Sequence, residues 1–101
     1  MLLSHSAGTS QTSYFGFTPT QPLPTIVEIL SGAKISATRA VVVNSEPDAA
    51  FRYSGGGSMI AQLALINVAK KTFSALTQAL LFDKLAMHNS SFEQQLPAKF
   101  S

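Results

Sequence analysis

The chain has 101 residues, 46% of them apolar and only 12% charged, with a net charge of +2 and no cysteine. That length admits one domain of ordinary size, and the missing cysteine excludes a disulfide framework, thiolate metal sites and cysteine nucleophiles together. The basic residues are scattered, with only Lys70 and Lys71 adjacent, which argues against duplex nucleic-acid binding, where Lys and Arg gather on one face.

Met1-Leu2-Leu3 is followed by Ser4-His5-Ser6, with no basic lead and no long apolar run, so a signal peptide is not indicated. From Ser4 to Pro24 the residues are mostly Ser, Thr, Gln, Gly and Pro. Pro19, Pro22 and Pro24 push the backbone toward extended conformations. We read residues 1–24 as an extended or disordered arm. Tyr14, Phe15 and Phe17 are its candidate partner-binding residues, because aromatic side chains offer large contact area at low entropic cost.

Residues 25–53 are read as a small antiparallel β-meander. "TIVEIL" is short and β-branched, and Ser31-Gly32 offers turn chemistry after it. In "KISATRAVVV" Ile35, Ala37, Val41 and Val43 alternate with Lys34, Ser36 and Thr38, the two-residue period of a strand. "NSEPDA" is a turn, and Ala49, Phe51 and Tyr53 supply a third strand. "TIVEILSGA" also fits a helical turn ending at Gly32, since short apolar runs are ambiguous.

Three glycines, Gly55, Gly56 and Gly57, then precede Ser58. A strand, a glycine-rich turn and a helix start together present free N–H groups to an anion, so Gly55–Ser58 are the candidate anion-binding residues. The pattern lacks the lysine of a P-loop and the acidic residue of a dinucleotide fingerprint. A flexible connector and an engineered GGGS linker are the competing readings of the same residues.

From Ser58, the expected N-cap, to about residue 88 neither Pro nor Gly occurs. Met59, Ile66, Ala69, Phe73, Leu76 and Leu80 follow helical steps, predicting one long or broken amphipathic helix over about 58–88. Unbroken, it would run ~45 Å, longer than a small core needs. Phe73, Leu76 and Leu80 are therefore candidate partner-binding residues. Lys70-Lys71 and Asp83-Lys84 interrupt the apolar runs, so no membrane span is expected. Residues 90–101 form a polar tail.

Catalytic chemistry finds no constellation here. His5 and His88 are far apart in sequence, Ser58 has no nucleophile elbow, and no two carboxylates share a face of one element. We expect no enzyme activity, cofactor or metal. Arg52 between Phe51 and Tyr53 is a short echo of a base-stacking strand, too brief to be specific. The expectation is an α+β chain: an arm (1–24), one domain (25–89) and a tail (90–101). It is expected to act as a non-catalytic assembly subunit that self-associates as a homo-oligomer, with a cytoplasmic or virion location. The low charge and the abundance of hydroxyl and amide side chains carry that expectation. A small anion-binding module and a nucleic-acid accessory protein are the alternatives.

Overall fold

The structure, a computed structural model, describes residues 1–100. In order it contains α1 (Ile26–Ser31), a 3-10 turn (Lys34–Ser36), α2 (Gly55–Ala69), α3 (Phe73–Thr77), a π-turn (Gln78–Phe82) and a last 3-10 turn (Ala98–Phe100). Residues Met1–Leu63 form one compact unit and those from Ala64 onward a second, the division falling within α2.

The predicted meander over 25–53 does not form. The chain is 37% helical and 2% strand, and the only β pairing among the described residues is one antiparallel bridge between Thr9 and Val43. The first expected strand is instead α1. Thr25 and Glu28 stand at the spacing of a capping box: the Thr25 hydroxyl accepts from Glu28 N at 3.2 Å, and the Glu28 carboxylate accepts from Thr25 N at 2.7 Å. At the other end Gly32 sits at φ +71°, a left-handed conformation that costs glycine little, and Ala33 N closes back on Glu28 O at 2.9 Å. Two satisfied ends, each worth ~1 kcal/mol or somewhat more, outweigh the mild strand preference of Ile and Val.

The second expected strand starts as a 3-10 turn, and Ala37 then takes φ +52°. Within residues 40–44 only Val43 forms a β bridge, with Thr9, and most of the segment's backbone partners lie in residues 8–10. Val41 N donates to Leu30 O at 2.9 Å, Ser10 N to Val42 O at 2.8 Å, and Asn44 N to Gly8 O at 3.0 Å. The third segment is tied through Arg52 N to His5 O at 2.7 Å and through Asp48 N to Ser6 O at 2.7 Å. Both segments therefore bond to residues 5–10, and the backbone groups of a meander are spent before its strands can pair.

The predicted helix over 58–88 is corrected at both ends, and of the long and broken alternatives the chain takes the broken one. It starts at Gly55, stops at Ala69, and is broken where Lys70 takes φ +55°. Thr72 restarts the chain as N-cap of α3, accepting from Ala75 N at 3.2 Å. The π-turn follows, with Asp83 N reaching back five residues to Gln78 O at 2.9 Å. Apolar side chains surround the α2 axis instead of lying in one stripe: Ile60, Leu63, Leu65, Ile66 and Val68 point in successive directions.

Each unit has its own interior. In the first, the buried residues are Gly8, Thr9, Ser36, Ser54, Gly56 and Gly57, so hydrogen bonds and close backbone approach replace an apolar core. In the second, Phe82 is 5% exposed and stacks on Phe92 at 5.6 Å, while Phe92 meets Phe73 edge-on at 5.2 Å. Phe82 is the only buried large apolar side chain among the described residues.

Candidate functional site

The three glycines are the first turn of α2, and what they face explains them. Ser54, 1% exposed, is the N-cap: its Oγ accepts from Gly57 N at 2.9 Å and donates to Ser10 O at 2.7 Å. The cap therefore lies four residues before the expected cap at Ser58, which is an exposed residue of the first turn. Gly55 N donates to Thr12 O at 3.0 Å and Gly56 N to Gln11 O at 3.0 Å. Residues 8–12 thus lie across the helix start as a peptide laid on a flat surface.

That approach tolerates no side chain. A Cβ on Gly55 would stand 2.9 Å from Thr12 O, one on Gly56 2.7 Å from a Val41 methyl and 2.9 Å from Ser10 O, and one on Gly57 2.8 Å from Thr9 Oγ1. The glycines are there so that two backbones can touch. Of the N–H groups that would greet an anion, those of Gly55, Gly56 and Gly57 already have internal acceptors, and Ser58 N bonds to Ser54 O at 3.3 Å.

His5, which sequence reasoning placed in the arm, belongs to this seam. Its Nδ1 accepts from Ser54 N at 3.2 Å, which leaves the proton of the neutral ring on Nε2. The ring lies against Tyr53 at 4.4 Å and meets Phe51 edge-on at 5.7 Å. Arg52 reaches the other way, its Nη1 donating to Asn44 Oδ1 at 2.6 Å. The aromatic–basic–aromatic triplet is therefore occupied within the unit, with the imidazole against Tyr53. Ser54 Oγ points at a backbone carbonyl and not at the imidazole, so the pair does not have the arrangement of a base and nucleophile.

The candidate partner-binding residues separate. Tyr14 is half-buried, with its ring 3.5 Å from where a Gly55 Cβ would stand. Its hydroxyl is buried without a hydrogen-bond partner, and burial pushes its pKa above the usual 10. Phe15 is fully exposed and Phe17 half-buried. In the second unit Phe73 is engaged with Phe92 and Leu76 is half-buried, while Leu80 is 59% exposed.

Sequence reasoning missed Ser54, His5 and the 8–12 segment as members of one site. Only the capping logic pointed that way, since Ser54 stands before a glycine run that can be helical. Among the described residues no group of three His, Asp or Glu side chains is placed to hold a metal ion. Among the described residues no helix is long and apolar enough to cross a membrane. Comparison with protein-family models, curated proteins and solved structures gives no match.

Proposed function

We propose that this chain is a non-catalytic assembly subunit that works by binding further copies of itself. One observation carries the reading. Among the described residues large apolar side chains, including Leu65, Val68, Leu80, Leu85 and Phe51, stand open to solvent, while a single one, Phe82, is buried. Apolar surface left open on that scale is the mark of a chain that completes its burial against a partner. The first unit supports the same reading from the polar side. Its interior is a hydrogen-bonded seam with every glycine N–H of the α2 start already used, which suits a rigid scaffold and offers little to a ligand.

Sedimentation velocity on the full chain tests this across a wide micromolar range. The expected result is a species at least twice the 10.7 kDa of one chain. A clean monomer at every concentration would overturn the proposal.

A further inference from the structure

We infer that His5 is a proton-operated latch. Its neutral ring fastens the turn of residues 1–6 beside the start of α2, and protonation of the ring releases that turn and frees the faces of Phe51 and Tyr53 that the ring covers. The device lies within the first unit and stands independently of the assembly reading above.

Residues 1–6 close on themselves. Ser6 N donates to Met1 O at 3.1 Å, His5 N to Leu2 O at 3.4 Å, and Ser4 Oγ to Met1 O at 3.1 Å. His5 does most of the fastening of this turn to the rest of the unit. Its carbonyl accepts from Arg52 N at 2.7 Å, its Nδ1 accepts from Ser54 N at 3.2 Å, and its ring lies on Tyr53 and meets Phe51. A further backbone tie runs from Asp48 N to Ser6 O at 2.7 Å. Residues 8–12 are held separately, by bonds with Val42, Asn44, Ser54, Gly55 and Gly56 that do not pass through His5. The turn can therefore open while the seam stays closed, a local opening that costs less than unfolding the unit. His5 also sits at φ +55°, so opening relieves a left-handed backbone.

Proton sensitivity follows from what Nδ1 does. A neutral imidazole accepts at one nitrogen, whereas an imidazolium donates at both. Once Nδ1 carries a proton, two N–H groups face each other, and the Ser54 N–H has no water to turn to because Ser54 is buried. The new charge would also stand at the N-terminal end of a 15-residue helix, which repels cations. Neighbouring groups give little relief. The first turn of α2 has no acidic or basic residue. Arg52, with its Nη1 on Asn44 Oδ1, and the Met1 amino group of the same turn are both cations. The carboxylates of the adjoining segment, Glu46 and Asp48, make no bond to the ring. The face of Tyr53 attracts a cation, but Tyr53 is exposed, and there that attraction is weak. The neutral ring is the bonded form, so the latch holds above the ordinary imidazole range, about 6.5, and loosens as the ring protonates at lower pH.

The test is hydrogen exchange on the full chain at pH ~7.5 and ~5, values that bracket the ordinary imidazole midpoint and stay above that of a carboxylate. Each rate is divided by the chemical exchange rate of the unstructured peptide at the same pH. In the wild type, protection of residues 1–6 and 50–54 should fall roughly tenfold or more at the lower pH, while residues 8–12 and 59–69 keep theirs. His5→Asn keeps an acceptor, does not titrate and suits a positive φ, so its protection should be the same at both pH values. His88→Asn should behave as the wild type. In nuclear magnetic resonance of the wild type, contacts between the His5 ring and Tyr53 should vanish in step with protonation of Nδ1, followed by its nitrogen shift. That measurement decides the case if His5→Asn leaves the turn open at both pH values. Wild-type protection that ignores pH, an acid loss that persists in His5→Asn, an equal loss over residues 8–12, or ring contacts that survive protonation would each overturn the inference.

Discussion

Replacing Gly56 by alanine sets two well-known effects against each other, and the sign of the result depends on the seam. Gly56 lies inside α2, where alanine is preferred over glycine by ~1 kcal/mol. On helix propensity alone Gly56→Ala stabilises the protein. The added Cβ, however, would stand 2.7 and 2.9 Å from the Val41 methyls and 2.9 Å from Ser10 O. Val41 can turn aside. Ser10 O cannot easily do so, because Ser54 Oγ donates to it at 2.7 Å while Ser10 N is held on Val42 O at 2.8 Å. Overpacking of this kind costs ~1–3 kcal/mol. Pushing the segment back also stretches the bond from Gly56 N to Gln11 O, worth ~1 kcal/mol. The net expectation is a loss of about 1–3 kcal/mol, a melting temperature lower by roughly 5–20 °C. Urea unfolding followed by tyrosine fluorescence is the assay, since Tyr14 and Tyr53 both lie within residues 1–63. Ser58→Ala, exposed in the same helix, is the comparator and should gain a few tenths of a kcal/mol. A Gly56→Ala protein as stable as the wild type, or more so, would refute the close packing of residues 8–12 on α2.

Ser54→Ala removes both the cap on Gly57 N and the donor to Ser10 O, and should lower stability by about 2 kcal/mol, read as a shifted urea midpoint at constant slope. Tyr14→Phe deletes a buried hydroxyl that has no partner, so stability is expected to hold or rise by up to ~1 kcal/mol; a loss of that size would mean the hydroxyl is bonded after all. Glu28 is held below the usual 4.5 by the Thr25 backbone N–H first and the Thr25 hydroxyl second. A depressed carboxylate favours the folded state above the unfolded glutamate pKa, and its contribution disappears as pH falls through the Glu28 midpoint. Carboxyl-carbon nuclear magnetic resonance should place that midpoint below 4.5, with Thr25→Ala moving it part of the way back; a wild-type midpoint at or above 4.5 contradicts the capping box.

Several local features were readable from residues in hand. Thr25, Glu28 and Gly32 spell a capped helix, and the spacing Thr-x-x-Glu is a stronger statement than the β-branched residues between them. Weighing the branched run above its caps produced the false first strand. The alternation around Val41 and Val43 pointed to a strand, but a two-residue period says nothing about which segment is the partner, and only Val43 pairs, with Thr9. The interruption at Lys70-Lys71 was visible as a polar break in an apolar run. The π-turn ending on Phe82 was not, because a single added residue per turn leaves no mark on apolar spacing.

By itself the sequence determined part of the punctuation of the chain: a stop or turn at Gly32, and an apolar region after the glycine run with a polar break at Lys70-Lys71. It also settled the absence of any cysteine chemistry. Only the tertiary structure decided what the punctuation serves. The glycine run became a helix start instead of a loop because residues 8–12, more than forty positions earlier, cover it and supply the carbonyl oxygens for its N–H groups. The meander was lost for the same reason, since residues 5–10 take the hydrogen bonds its strands would have exchanged. Local preferences are worth a few tenths to ~1 kcal/mol per residue, whereas backbone groups that must be paired once buried decide between alternatives by more than that, and their partners are chosen across distances no local pattern records.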